Sequence, residues 1–446
     1  MSSENREKVD FLIHAKWIIP VVPRNLQLED HSVAVCGRKI VEICPTSEAK
    51  VRFHSDQEVE LGEHIVIPGL INAHGHAPMT LFRGIADDIP LKQWLEEKIW
   101  PLEGEFVDEK FVRQGAELAI AEMIRSGTSC FADMYFFPDE VAKAALDAKI
   151  RVQLASPVLD FPTIWAQDAD EYIAKATQLH DDYRNHDLIR TAFGPHAPYT
   201  VSDQPLQKLY TLAEELDLQI HMHVHETAQE VEDAVSADGR RPLQRLADLG
   251  MISPRLICVH ATELLESEMK LLADNGAHVI HCPESNMKLA SGFCDVDKLA
   301  AYGVNTGLGT DGCASNNDLD MISEIRSAAL LGKAVAQDAS AVPASQALEM
   351  ATINNARALG MDDEIGSLEI GKQADIAAIN IKAINNIPLY NPVSQLVYSS
   401  QSSQVSHLWC GGHLLLEQGE LTTIDMTLLR SKCQAWQNKI AMQSTM

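Results

Sequence analysis

Between residues 68 and 360 the chain alternates short apolar runs with amphipathic stretches, and this alternation constrains the fold more than any other feature. The runs are IVIPGLINAH, TSCFADM, IRVQLASPVL, LIRTAFGPH, LQIHMHVHE, RLICVHA, HVIHCP and VNTGLGTD. Between them lie stretches such as EKFVRQGAELAIAEMIRSG, PLQKLYTLAEELD and LLESEMKLLADNG. The last of these places apolar residues at i, i+4, i+7 and i+8, the spacing of one helix face. Strands that alternate with helices build a parallel sheet through crossover connections. Eight such units close into a (β/α)8 barrel, so the expected fold class is α/β, a TIM barrel.

Polar residues punctuate the apolar runs at one end. His74 and His76, Asp133, His196, His223, His260, His281 and Asp311 each stand at or near the C-terminal end of a strand. That is the face on which barrel active sites are built. One such histidine would be unremarkable in a core; a set of them on nearly every strand is not explained by packing.

Both ends of the chain have a different texture. Residues 11–67 read as short strands (FLIHAKWIIPVV, SVAVCGRKIVEI, EHIVIPG), with Gly37 and Arg38 as a hairpin turn. ADIAAINI and HLWCGGHLLLEQG return to that pattern near the end. The expected organisation is therefore a β-sandwich whose first part is 1–67, a barrel at 68–360, and the second part of the sandwich at 361–446 with a C-terminal helix.

Composition narrows the partners. Sixty-three acids against 36 Lys and Arg give a formal net charge of −27. Such a surface repels nucleic-acid phosphates and anionic membranes, so neither is an expected partner. No run approaches the roughly 18 apolar residues of a membrane helix, and the polar start MSSENREKVD leads to no cleavage site. Nine scattered cysteines without a CxxC pair read as reduced thiols. These features predict a cytoplasmic protein, and acidic barrels of this kind are expected as symmetric homodimers.

His74-Gly75-His76 carries the first chemistry. Residues two apart on a strand point the same way, so both imidazoles can face one ion, and neutral imidazole suits several divalent metals. In HMHVHE the same alternation puts His221, His223 and His225 on one strand face, and spacing alone leaves all three open as ligands.

IPGLINAHGH, HMHVHET, VHAT, HCPESNMKL, GLGTDGCASNN and GSLEIGKQADI, in this order along essentially the whole chain, resemble the amidohydrolase superfamily. The resemblance implies a distorted barrel beside a small sandwich. It implies His74, His76, His223 and Asp311 as ligands of one divalent ion, with Zn2+ the first choice. His223 is selected among the three because Glu226 then follows three residues later, as in the family's deaminases. Two-metal members use a lysine on strand four; LIRTAFGPH has none, so one ion is expected. Glu226 is implied as proton shuttle, with His260 and Asp311 orienting and deprotonating the attacking water. His281 stays open between a site residue and a core histidine.

GHAPMTLFRGIADDIPLKQWLEEKIWPLE, FGPHAPY and HCPESNMKLASG are most similar to the 5′-methylthioadenosine/S-adenosylhomocysteine deaminases within that superfamily. That similarity implies an adenosine-like purine nucleoside as substrate, deaminated at C6. Glu103 is implied as the ribose-hydroxyl ligand, and Glu226, Asp311 and His196 as further substrate contacts. The family's arginines beyond the ribose are not matched, since Arg151 opens strand three and SPVLD ends without one. Methylthioadenosine and adenosine are therefore expected ahead of S-adenosylhomocysteine. The alternative is hydrolysis of another amino-heterocycle (guanine, cytosine or an s-triazine), for which Glu103 would have no diol to bind. A non-catalytic scaffold would not be expected to retain the whole residue set. Gly307–Gly312 fits GxGxxG and Ser285–Lys288 fits SxxK, but neither has the context its chemistry needs.

Overall fold

In the computed structural model, which describes residues 6–443, eight parallel strands follow in chain order around a barrel. They are β1 (Leu70–Asn72), β2 (Thr128–Asp133), β3 (Arg151–Val158), β4 (Ile189–Pro195), β5 (Ile220–Val224), β6 (Leu256–His260), β7 (His278–His281) and β8 (Asn305–Leu308). Their residues are almost all buried, as strands must be when side chains fill the barrel and helices cover it. Several covering helices start on a side-chain cap. Asp108 accepts Phe111 N–H at 2.7 Å, Asp168 accepts Glu171 N–H at 2.9 Å and Asp320 accepts Ile322 N–H at 2.9 Å, which satisfies donors that a helix start leaves open.

β1 and β8 meet without a regular ladder. Ala73 N–H donates to Leu308 O at 3.0 Å and Asp311 N–H to His74 O at 3.1 Å. Between these strands lies the buried amide of Asn355. Its Nδ2 donates to Ile71 O at 2.6 Å and Leu308 O at 2.7 Å, and its Oδ1 accepts Leu308 N–H at 2.8 Å. One side chain thus does the work of a strand residue across the seam. Space for it comes from Gly307, where a Cβ would lie 1.9 Å from Asn355 Oδ1.

A second eight-stranded sheet takes strands from both ends of the chain. Its order is Glu420–Leu421, His413–Glu417, Val405–Cys410, Ile376–Asn380, Glu58–Pro68, Phe11–Ile18, Leu28–Cys36 and Lys39–Pro45. The two chain ends join where Glu58–Pro68 pairs antiparallel with Ile376–Asn380. Gly37 and Arg38 form the expected hairpin turn between Leu28–Cys36 and Lys39–Pro45, while the helix Thr46–Arg52 has no counterpart in the sequence reading. The run IVIPGLINAH is not one strand: it passes from this sheet into β1 at Gly69. Gly69 N–H donates to Asp375 O at 2.9 Å, and a Cβ there would lie 2.2 Å from Ser129 Oγ. The first half of the polar chain start, residues 1–5, lies with 444–446 outside the described residues.

Two contacts tie the sheet and the last helix to the barrel. Arg151, only 1% exposed, pairs with buried Asp375 at 3.3 Å, so it sits at the N-terminal end of β3. In the C-terminal helix (Met426–Gln443), Trp436 Nε1 donates to Gln114 Oε1 at 2.8 Å, against the helix Glu109–Arg125. Among the described residues no helix is long and apolar enough to cross a membrane.

The seam yields a stability prediction. Asn355→Ala removes three buried hydrogen bonds and leaves Ile71 O and Leu308 N–H without this partner, while Leu308 O keeps Ala73 N–H. Each unpaired group costs about 1–3 kcal/mol. Urea unfolding should show a loss of about 3 kcal/mol or more; a loss below about 1 kcal/mol would contradict this account of barrel closure.

Candidate active site

The C-terminal strand ends converge on a cavity of about 330 Å³, within the range of small-molecule sites. His76, His196, His223, Glu226, His260 and Asp311 face it, and Leu91, Trp94, Ile99, Phe136, Leu159 and Phe161 supply an apolar wall. The ligand atoms of His74, His76 and Asp311 lie within 4.8 Å of one another, as do those of His74, His223 and His260.

The imidazoles are held with one nitrogen turned inward. His76 Nδ1–H donates to Met134 O at 2.7 Å and His223 Nδ1–H to His196 O at 2.7 Å. A carbonyl can only accept, so in the neutral ring each Nε2 offers its lone pair, the arrangement that orients metal-binding histidines. His74 Nδ1 meets His221 Nε2 at 2.9 Å, and its buried Nε2 has no hydrogen-bond partner. Asp311 Oδ1 lies 3.4 Å from His74 Nε2 and 3.2 Å from His76 Nε2. Its Oδ2 accepts Ser285 Oγ–H at 2.6 Å and Ser315 Oγ–H at 2.9 Å.

These donors fit one divalent cation of intermediate softness. Burial lowers His76, but the Asp311 carboxylate outweighs it and raises the imidazole to about 9. A proton thus occupies this pair in the absence of a metal, and a bound cation would displace it. Burial holds His74 at about 4 and His223 well below the usual range.

Glycines of the β8 run create the close approach. A Cβ at Gly309 would lie 2.7 Å from His74 Cβ, and one at Gly312 would lie 3.2 Å from His76 Cβ. The GxGxxG match therefore has a packing cause and no phosphate role. In the SxxK match, Ser285 serves Asp311, while Lys288 Nζ binds Asp87 Oδ1 and Asn317 Oδ1, both at 2.6 Å.

Glu226 follows β5 with its Oε1 3.8 Å from His260 Nε2. Burial, then the Asp311 carboxylate, push its carboxyl up to about 8, so it carries a proton near neutrality. Asn286 Nδ2–H donates to His260 Nδ1 at 3.1 Å. Glu103, on the helix Trp100–Phe106, lines the cavity and accepts Tyr135 O–H at 2.7 Å; burial raises it to about 7. His196 also lines the cavity, and burial lowers it to about 4.

The structure separates the three histidines of HMHVHE. His221 stands behind His74, and His223 faces the cavity. His225 lies past the end of β5 at φ = 55°, where its Nε2 accepts Leu243 N–H at 3.1 Å. The strand alternation ends before it, so the three do not share one face. Asp133 turns aside to accept Ala77 N–H at 2.6 Å. His281 is 1% exposed, held at about 3 by burial, and absent from the cavity lining. Tyr135, Ser285, Ser315 and Asn286 have site contacts that spacing gave no means of finding.

Histidines buried in neutral form make stability depend on pH. His196, His225 and His281 have folded values of about 4, 4 and 3, below an unfolded value of about 6.5. Their contribution is complete above about 6.5 and is lost as pH falls through the folded values, with a slope of about 1.4 kcal/mol per pH unit for each proton taken up on unfolding. Because the raised carboxyls of Glu103 and Glu226 oppose this trend, the histidines are followed singly. Imidazole NMR titration of chelator-treated protein should leave His225 and His281 neutral from pH 7 to pH 5; protonation of either at about 6.5 would contradict neutral burial.

Residues 65–415 match the amidohydrolase family. A 5-methylthioadenosine/S-adenosylhomocysteine deaminase of Teredinibacter turnerae is 49% identical over 98% of this chain and 99% of its own. The deaminase of the same description from Saccharophagus degradans is 50% identical over 98% of each chain. An adenosine deaminase of Xanthomonas campestris, solved with bound zinc, matches with a TM-score of 0.97 at 48% identity over 98% of this chain and 100% of that one. The chain belongs to the amidohydrolase family, in the group of the 5-methylthioadenosine/S-adenosylhomocysteine deaminases.

Proposed function

We propose that the protein hydrolyses the C6 amino group of an adenosine-like nucleoside, releasing ammonia and the inosine analogue. The observation that carries this reading is a single cavity beside the metal-ligand cluster, with the buried carboxyl of Glu226 and the carboxyl of Glu103 among its lining residues. Relatives at 48–50% identity named for deamination of such nucleosides support it.

In this reading His74, His76, His223 and Asp311 hold one divalent ion, zinc by similarity to the Xanthomonas campestris structure. When bound, the ion supplies a water that ionises near neutral pH. Asp311 accepts the water's proton, and His260 holds its oxygen toward C6. Glu226 donates its proton to purine N1, which makes C6 electrophilic, and a later proton reaches the departing amine. Glu103, oriented by Tyr135, binds the ribose hydroxyls, and His196 contacts the substrate beside it.

The apolar wall bears on the 5′ substituent. Among the described residues no Lys or Arg lines the cavity, and Arg151 is engaged with Asp375 at the other end of β3. A thioether methyl suits that wall, whereas the charged end of a homocysteine would lack a partner. The nine cysteines, all free thiols, support a reducing cytoplasmic setting, and we read the acidic barrel as a homodimer.

Zinc-loaded protein should deaminate 5′-methylthioadenosine and adenosine, with kcat/KM for S-adenosylhomocysteine at least about tenfold below that for methylthioadenosine. Equal efficiency on the two would contradict the apolar reading of the 5′ subsite. Glu226→Gln should lower kcat by about 10²–10⁴ with metal content unchanged. Zinc-loaded protein inert on every nucleoside but active on guanine or a triazine would move the assignment to a free heterocycle.

A further inference from the structure

Glu226 occupies the turn between β5 and the helix Ala228–Asp238, directly after His225 in its left-handed conformation. Its carboxyl is 3.8 Å from His260 Nε2, beyond hydrogen-bond distance, so its backbone sets where it points. Two side chains hold that backbone. Glu230 Oε1 accepts His225 N–H at 3.1 Å and Glu230 Oε2 accepts Glu226 N–H at 2.7 Å. Thr262 Oγ1 lies 3.1 Å from His225 O and 2.9 Å from Glu226 O, and Thr262 N–H donates to His225 O at 2.9 Å.

The arrangement is a capping box put to a second use. Thr227 caps the helix, its Oγ1 accepting Glu230 N–H at 3.2 Å. In an ordinary box the carboxylate three residues on returns to the N–H of the cap residue. Here it passes Thr227 and takes the N–H groups of the two residues before it. On the other side, Gly292 leaves room for Thr262: a Cβ there would lie 2.7 Å from Thr262 Oγ1. Neither Glu230 nor Thr262 lines the cavity.

We propose that Glu230 and Thr262 are positioning residues that clamp the peptide groups around Glu226 and so aim its carboxyl at purine N1. This rests on the reading above, in which Glu226 is the proton donor. A misplacement of about 1 Å in a reacting group lowers rate by about 100-fold, which sets the scale expected on releasing the clamp.

The test measures kcat and KM on methylthioadenosine for zinc-loaded wild type, Glu230→Gln, Thr262→Val, Thr262→Ser and Glu226→Gln, and for the double variant Glu226→Gln/Glu230→Gln. Zinc content and thermal midpoint are recorded for each. The proposal expects Glu230→Gln and Thr262→Val to lower kcat by about 10–100-fold, with KM little changed and one zinc per chain retained. Thr262→Ser, which keeps the hydroxyl, should stay close to wild type. In the Glu226→Gln background, Glu230→Gln should add no further loss, because its effect passes through Glu226. Wild-type kcat in Glu230→Gln and Thr262→Val, an equal loss in the Glu226→Gln background, or a loss that follows zinc content overturns the clamp while leaving the deaminase reading intact. Wild-type protein inert on all nucleosides removes the deaminase reading itself, and the clamp with it.

Discussion

Asp311 N–H donates to the carbonyl of His74 at 3.1 Å, and that contact joins the last barrel strand to the first at the level of the ligand cluster. The strands that carry His74, His76 and Asp311 are far apart in sequence, yet the site needs their side chains within a few ångströms. A regular ladder does not close the gap. Asn355 bridges it, Asn72 Nδ2 donates to Thr310 Oγ1 at 2.7 Å, and Gly309 lets the chain pass against His74. The ligands are thereby fixed to strand ends and not to mobile loops, which gives the precision a metal site requires. The contacts that close the barrel are thus the ones that bring the ligands together.

The cavity divides its titratable groups by environment. Against burial, the imidazoles of His74 and His76 hold Asp311 well below the usual carboxylate range. Burial raises Glu226 to about 8. Two carboxyl groups pushed apart in this way have distinct acid and base capacities, and they match the roles of proton donor and proton acceptor proposed above. The strongly acidic surface has no part in this division, which depends on burial and on named hydrogen bonds within the cavity.

Much of the architecture is legible in the sequence because its signals are periodic. All eight barrel strands fall within runs such as TSCFADM and RLICVHA, and seven of them carry a site-like polar residue at or near their end. Of the residues that line the cavity, His76, His223, Glu226 and Asp311 are reached through the family resemblance carried by IPGLINAHGH, HMHVHET and GLGTDG, because spacing alone leaves His221, His223 and His225 open. What stayed hidden depends on contacts between distant segments. Nothing local marks Gly69 as the joint between two sheets, since its cause is Ser129 and Asp375. Period two suggested that His225 shares a face with His223, but the strand stops at Val224 and the turn reverses its direction. The seam amide of Asn355 has no sequence signature, because an asparagine in a helix says nothing about which carbonyls it will reach.

The central claim is that one ion site is built by the seam and by the imidazoles held on backbone carbonyls. Anomalous diffraction at the zinc edge from crystals of zinc-loaded protein tests it most directly. The account predicts one strong peak per chain, with His74, His76 and His223 Nε2 and an Asp311 oxygen at about 2.0–2.2 Å. A peak on His221 or His225, two peaks of equal height in the cavity, or none between β1 and β8 would contradict it.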